Sequence, residues 1–540
     1  MATVYAAFVE AARVAPDAPF LCVPEAGTGN WQETTYADAA RAIEVRREAY
    51  KRAGYGYGHA VAMLLDKTEF VFHVLALNAL GCNVVPLNPD LRPAELRYQI
   101  GHADCDAVVV EPSRLADFVE IVRDTPADGR LASLDALDRL PGPARPIPQS
   151  GDPASDSVCS VLYTSGTTGL PKGCLLSNDC HLIAGQWYAD MGGRLTMRMQ
   201  GERFFNPTPF HHTNILVVNL TCVLLTRNCL IMPDRFSASR WWRDVVDTRA
   251  TAIHYVGIIP TILMKQPPGP LDRAHVLAFG FGGGAEPGLH AAFEARFGFP
   301  LVEIWGMTET TRVFGDHIEP RAVGTRAIGR PSFEYQAIVV DDDDQELARG
   351  TPGELLVRSG GDNPRHGFFS GYHKDPEATE GAWRNGWFHT GDIAFQDAGG
   401  MLHFVDRKKN IIRRAGENIS AAEVEAALIA HPYVDQVAVI AVPDDVREEE
   451  VMACVVPSRD APRTTAAAEA IVRFCLDRLA YYKAPAYLAF RKELPMTASH
   501  RLQRAMIFPK GVDPRAEPDT FDLRKLKVRP VAPTSDGERA

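Results

Sequence analysis

Apolar positions near the N-terminus fall at Tyr5, Phe8, Val9 and Ala12, a helical spacing, and a second helical stretch rich in Ala, Arg and Glu runs from Tyr36 to Tyr50. Val61 to Leu65 is then an unbroken apolar run of strand length. Glu69 to Leu80 returns to a helical pattern, and Asn83 to Leu87 reads as strand again. Strand, helix, strand at this spacing predicts parallel α/β structure. Ala107 to Val110 is a further buried strand, and the proline-rich Leu140 to Pro153 is a loop. Val158 to Tyr163 predicts another strand, His181 to Asp190 a helix, and the stretch after His212 an apolar helix. Ala252 to Val256, Val276 to Phe279 and Leu301 to Ile304 are three more strands, each short and apolar.

From Ile338 the pattern changes to short alternating strands with turn signals, such as Gly353 to Val357, which predicts a β-rich subdomain ending near Asp392. Ser420 followed by Glu423 has the spacing of a capping box at a helix start. With the strands Val437 to Val442 and Val451 to Val456 and the helix Glu469 to Leu479, this makes a compact α+β module. The tail beyond about Lys510 is charged and Pro-rich, a composition expected to be disordered. The predicted architecture is α/β: a large N-terminal region of α/β sheets with a β-rich subdomain over residues 1–405, a small α+β C-terminal domain over 406–510, and a tail over 511–540.

Composition narrows the function. A hydrophobic fraction of 46% and a charged fraction of 23% are those of a soluble globular protein, and 540 residues exceed one typical core. The formal net charge of −11 leaves no basic footprint for nucleic acid. The ten cysteines include no CxxC pair and read as reduced, buried thiols. The N-terminal MATVYAAFVEAARVAPD lacks a basic signal region, and the longest apolar stretch, Ile215 to Leu225, is too short to span a bilayer. A cytoplasmic location with no membrane span is the expectation.

Candidate chemistry centres on Thr164-Ser165-Gly166-Thr167-Thr168-Gly169-Leu170-Pro171-Lys172-Gly173, which follows the apolar Val158 to Tyr163. Glycines let several backbone N–H groups approach an anion, hydroxyls add donors, and Lys172 supplies a positive charge, so the loop suits a polyphosphate. It is not GxxxxGK[ST], because Gly173 follows Lys172. His211 and His212 lack metal-site spacing and suit a packing or substrate-facing role. Gly280 to Pro287, with Gly283, Gly284, Ala285 and Glu286, lets a flat group lie against the backbone; a structural turn is the plain alternative. Trp305-Gly306-Met307-Thr308-Glu309-Thr310 ends a strand where open parallel sheets bind ligands. There Trp305 offers a flat face, Thr308 reaches a phosphate and Glu309 holds Mg²⁺ through oxygen. Asp392 in Trp387 to Asp392 suits two ribose hydroxyls, and Arg407 a ribose or phosphate.

Taken together, YTSGTTGLPKG, GGGAEP, WGMTET, WFHTGD, FVDRKKN and RRAGENIS resemble the adenylate-forming superfamily of acyl-CoA synthetases, adenylation domains and luciferases, in the family's order along nearly the whole chain. The Arg413-Arg414-x-Gly-Glu-Asn stretch resembles the acyl-CoA ligase branch, and Gln266 to Pro268 with Phe236 to Ser239 is similar to crotonobetaine/carnitine–CoA ligases. The resemblance implies an ATP-dependent ligase that joins a carboxylic acid of fatty or carnitine type to CoA through an acyl-adenylate. In it Thr164 to Lys172 would hold phosphates, Gly283 to Pro287 with Trp305, Gly306 and Met307 the adenine, and Thr308 the α-phosphate. Glu309 would bind Mg²⁺, and Asp392 and Arg407 the ribose. Asp406 would be the hinge of a mobile C-terminal domain, His211 would lie by the acyl pocket, and Gly416 would line the pantetheine path of CoA. One departure stands out: Ser499-His500-Arg501 occupies the place of a residue, Gly and Lys, so Arg501 replaces the lysine that bridges carboxylate and α-phosphate. An adenylation enzyme loading a carrier protein, and a nucleotide-binding homologue with impaired adenylation, are the alternatives.

Overall fold

A computed structural model of the chain describes residues 2–528 except 26, 165–169, 257, 286, 312–313, 342, 408–410, 496–503, 505–506 and 510, and leaves aside the side chains of 258, 406, 407, 411, 418, 420 and 422. The chain forms two compact units. The larger comprises Met1–Leu87, Ile100–Tyr163 and Gly173–Lys408, and the smaller Asn88–Gln99, Thr164–Lys172 and Lys409–Ala540. Among the described residues there are four sheets, of eight, seven, six and six strands.

The eight-stranded sheet runs in space Phe314–Gly315, Leu301–Trp305, Phe279–Gly283, Ala252–Val256, Arg203–Phe205, Cys229–Ile231, Pro19–Pro24 and Trp31–Thr35. Its interior pairs are parallel and its two end strands antiparallel. The seven-stranded sheet is built around the parallel strands Ala60–Leu64, Ala107–Val110 and Asn83–Pro86, with Leu131–Ser133 parallel at one end and Gly371–Tyr372 antiparallel at the other. Every residue of its first two strands is buried, as continuous apolar runs require when helices cover both faces of a sheet. Lys67–Ala79 is apolar nearly all round and buried from Phe70 to Asn78, which marks it as an internal helix. Helices Val4–Val14, Tyr36–Ala53, Asn178–Asp190 and Leu220–Thr226 complete this layer.

The third sheet is antiparallel and confirms the change of pattern near Ile338, but it does not end at Asp392. That residue lies in the middle of Trp387–Gln396, whose alternating burial continues and which pairs with Leu402–Arg407. The predicted apolar helix after His212 opens instead as a π-helical turn, Asn214–Asn219, before Leu220–Thr226. The cause is polar. The wider turn sets residues five apart on one face, and the Asn206 amide donates both to Asn214 Oδ1 at 2.9 Å and to Asn219 Oδ1 at 3.1 Å.

In the smaller unit the sheet order is Glu417–Ser420, Ile411–Arg414, Glu448–Pro457, Tyr487–Phe490 and Thr520–Asp522, with Val434–Asp444 paired to Glu448–Pro457. The last strand corrects the expectation of a disordered tail for residues 511–528, since Thr520–Asp522 pairs antiparallel with Tyr487–Phe490. Phe521 packs on Phe490 with ring centroids 5.8 Å apart, and Leu523 is fully buried. A few well-placed apolar groups outweigh the charged composition around them. All ten cysteines are buried and none forms a disulfide. Among the described residues no helix is long and apolar enough to cross a membrane.

Candidate active site

Leu301–Trp305 is an apolar strand with one acid, Glu303, at its centre. Glu303 is buried, and its carboxylate accepts from the Tyr255 hydroxyl at 2.6 Å, from the Gly284 amide at 2.9 Å and from the Ala285 amide at 3.2 Å. Burial raises its pKa, and these donors oppose the rise. Glu303 thereby fastens the end of the glycine-rich run. The glycines ahead of it are demanded by the sheet: a Cβ on Gly282 would lie 2.2 Å from the Tyr255 carbonyl oxygen, and one on Gly283 would lie 2.3 Å from that of Ile304. Gly284 follows at φ +85°, in the left-handed region. Pro287 opens the helix Pro287–Phe297, and Glu286 lies outside the described residues.

Trp305 closes the strand. It is 4% exposed and stacked on Phe314 at 5.6 Å, because the strand buries it among aromatic neighbours. Its indole N–H donates to Asp392 Oδ2 at 2.8 Å, so the tryptophan orients an acid. Asp392 is itself buried, and its Cα stands opposite that of Arg407 across the paired strands.

Beyond Trp305 the chain turns. Gly306 is exposed, Met307 and Thr308 are half-buried, and Glu309 is buried. The Thr213 hydroxyl donates to Thr308 Oγ1 at 3.0 Å, and the Tyr372 hydroxyl donates to Glu309 Oε1 at 2.9 Å. Burial first, and the Glu309 charge next, push the Tyr372 phenol well above its ordinary range, so it stays a donor. Thr213 leads directly into the π-helical turn, whose Asn214 belongs to a polar chain. His254 Nδ1 donates to Asn214 Oδ1 at 2.8 Å, and the Tyr188 hydroxyl donates to His254 Nε2 at 3.1 Å. Burial brings His254 down to about 3, which fixes it as the neutral imidazole this pattern needs. His211 and His212 are half-buried in the turn ahead, their rings 4.5 Å apart, and Phe210 stacks on Phe70 at 4.7 Å.

In the smaller unit the hairpin Ile411–Arg414 and Glu417–Ser420 turns through Ala415 at φ +53° and Gly416 at φ +84°, with Gly416 exposed. Lys483, almost wholly buried, donates to Glu95 Oε1 at 2.8 Å and to Glu423 Oε1 at 2.7 Å. The two carboxylates hold it protonated above the usual lysine range against the pull of burial. Glu423 thus serves Lys483 at the head of the helix Ala421–Leu428. Thr164 ends the strand Val158–Thr164 and Lys172 begins Lys172–Ser177, so the hydroxyl and glycine run is the connection between neighbouring strands of the seven-stranded sheet. Ser165, Gly166, Thr167, Thr168, Gly169 and Arg501, with the side chain of Arg407, lie outside the described residues. Glu303, Tyr255, Thr213, Tyr372 and Lys483 were not singled out from the sequence. Glu303 alone carried a signal, as a charge inside an apolar strand.

These arrangements agree with the matches to known proteins. Residues 8–373 match the AMP-binding enzyme family and residues 423–501 match the AMP-binding enzyme C-terminal domain, and the chain belongs to this family. Within the adenylate-forming superfamily it stands in the acyl-CoA synthetase branch, and it is an enzyme of that AMP-forming class. A sulfoacetate–CoA ligase of Cupriavidus necator is 33% identical over 500 residues, covering 91% of this chain and 94% of the relative. A crotonobetaine/carnitine–CoA ligase of Proteus mirabilis is 28% identical over 497 residues, covering 88% and 93%. The structure of the amide bond synthetase McbA from Marinactinospora thermotolerans superposes with a TM-score of 0.79 at 26% identity, over 93% of this chain and 98% of that one.

Proposed function

We propose that the protein activates a short carboxylic acid bearing a second charged group as its adenylate and passes the acyl group to CoA. In the first step a carboxylate oxygen attacks the α-phosphorus of ATP and pyrophosphate leaves. In the second the CoA sulfur attacks the acyl carbon and AMP leaves. Carboxylates are poor electrophiles, and the adenylate supplies the leaving group. The observation that carries the reading is the pair Thr308 and Glu309, each held by a hydroxyl donor at the end of a sheet strand.

On this reading Thr164 to Gly169 and Lys172 bind phosphate, and Gly283 to Pro287 with Trp305, Gly306 and Met307 receive the adenine. Thr308 binds the α-phosphate, and Asp392, set by Trp305, and Arg407 grip the ribose. Glu309 fits Mg²⁺, being a buried oxygen donor whose orientation Tyr372 fixes; the ion would neutralise charge on the departing pyrophosphate. His211 lies at the acyl end, Gly416 lines the pantetheine path, Asp406 is the hinge of the C-terminal domain, and Arg501 bridges carboxylate and α-phosphate. The relatives' acids, sulfoacetate and the carnitine type, are short and doubly functional, which supports a substrate of that kind over a long aliphatic one.

Pyrophosphate exchange and CoA-dependent AMP release over a panel of acids test this. Sulfoacetate or a betaine-type acid should turn over well ahead of a medium-chain fatty acid; preference for the fatty acid would refute the substrate class. A second reading is favoured by Arg501, whose planar fork is not equivalent to a compact ammonium. If the wild type shows no exchange with any acid while Arg501→Lys does, the protein has given up the first step and binds nucleotide or uses preformed adenylates. Transfer to a phosphopantetheinyl protein in place of CoA would mark a carrier-loading enzyme.

A further inference from the structure

The family's C-terminal match ends at residue 501, yet the described residues beyond it include the strand Thr520–Asp522 and reach residue 528. The Leu523 amide donates to the Ala486 carbonyl at 2.7 Å, and a short turn, Arg524–Leu526, then delivers Lys527 into the module. The Lys527 side chain is 2% exposed and donates to Glu450 Oε2 at 2.7 Å, where the carboxylate is 1% exposed. The same oxygen accepts from the Val451 amide at 3.1 Å. The other oxygen, Oε1, accepts from Arg414 Nε, and Arg447 Nε stands 3.8 Å from it.

Arg414 is the last residue before the left-handed turn through Ala415 and Gly416, and its Cα pairs with those of Glu417 and Glu448. The Ala415 amide donates to the Arg447 carbonyl at 3.1 Å. Burial, with the Arg414 charge next, brings the Lys527 amine down to about 7, so the hydrogen bond itself holds Glu450 Oε2. A buried carboxylate held by Lys527 on one oxygen and by Arg414 on the other has one orientation that serves both. With Lys527 removed it can rotate, and the arginine on its other oxygen moves with it.

We infer that the C-terminal extension serves the second half-reaction: Lys527 is a positioning residue that, through Glu450 and Arg414, fixes the Ala415–Gly416 turn along which the CoA arm runs. This rests on the proposed role of Gly416. Lys527 touches no reacting atom, so its signature is a change in CoA use with adenylation intact.

The test uses the full-length enzyme, with Lys527→Met, Lys527→Arg and Gly416→Val. Thermal melting checks folding, pyrophosphate exchange reads the first step, and CoA titration reads the second, both as thioester formation and as CoA binding by calorimetry in the presence of AMP. Lys527→Met should raise the KM and Kd for CoA about tenfold, the scale of one buried hydrogen bond, while kcat and exchange change less than about twofold. Lys527→Arg should restore CoA use. Should the Lys527→Met chain fail to fold, Lys527→Gln, which keeps a neutral donor, carries the same comparison. A CoA titration superimposable on wild type in the folded Lys527 variant, with Gly416→Val impaired, overturns the inference alone. If Gly416→Val also leaves CoA use untouched, the assignment of the turn falls with it.

Discussion

In the larger unit Glu309 accepts from the Tyr372 phenol, Asp392 from the Trp305 indole, and Glu303 from the Tyr255 phenol and two backbone amides. In the smaller unit Glu423 faces Lys483, Glu425 faces Arg504 at 2.7 Å, and Glu450 lies between Arg414 and Lys527. The donors named in the first set are uncharged; those of the second are basic side chains, of which Lys483 is held protonated by its two carboxylates while burial brings Lys527 down to about 7. A neutral donor orients an acid without itself neutralising the acid's charge. An acid paired with a buried cation has that charge compensated and acts as a fastener. The larger unit also has fasteners, such as Glu294 on Arg321 at 2.7 Å, and that acid lies on the helix Pro287–Phe297.

The largest expected effect tests the fasteners. Lys483→Met leaves Glu95 and Glu423 buried without their shared cation and should cost about 3–5 kcal/mol in urea unfolding. A loss under about 1 kcal/mol would erase the contrast at its charged end. Glu309→Gln tests the other end: a carboxamide can still accept from Tyr372, so stability should hold within about 1 kcal/mol, while adenylation falls about a hundredfold and the Mg²⁺ requirement rises. A Mg²⁺ titration unchanged from wild type would remove Glu309 from the metal site.

Tyr372→Phe should be milder, raising the Mg²⁺ needed for half-maximal exchange about fivefold, the scale of one neutral hydrogen bond. An effect as large as that of Glu309→Gln would mean that the phenol does more than orient. The smallest effect is on pH dependence. Burial works against the Glu294 carboxylate, but hydrogen bonds from His290, Arg321 and the Leu301 amide prevail and bring it down to about 2. With its folded pKa depressed, the stability it contributes is present above the ordinary value near 4.5 and is lost as pH falls from there towards 2. Partial exposure screens it, so the stability gap between wild type and Glu294→Gln should be about 1 kcal/mol at pH 6 and shrink steadily between about pH 4.5 and pH 2. A gap that widens in acid would reverse the assignment.

What could be read from the chain follows from how local each cause is. Ala60–Leu64 and Ala107–Val110 declare themselves as parallel strands because burial on both faces leaves only apolar side chains. The motif at Trp305 to Thr310 was legible as chemistry, but the burial of the Trp305 ring was not, since it depends on Phe314 and on a partner 87 residues away. Tyr372 is 63 residues from Glu309 and carried no sign of its role. The helical period around Asn214 gave no warning of a π-helical turn, whose cause is an amide on another segment. The tail misled because composition averages over residues, whereas Phe521, Leu523 and Lys527 act singly.

The strand Thr520–Asp522 has a further consequence for how the protein lives in a crowded solution. Tyr487–Phe490 is buried along its whole length, and without its outer neighbour it would be a bare apolar edge with unpaired amides, the template on which other chains stack into aggregates. The strand that shields it is only three residues long, carries Asp522 with Arg524 clasped to it at 2.7 Å, and is followed by Lys525. Short and charged, it closes the edge without offering a good one of its own. Proteolytic loss of the last thirty or so residues should therefore show itself first as insolubility.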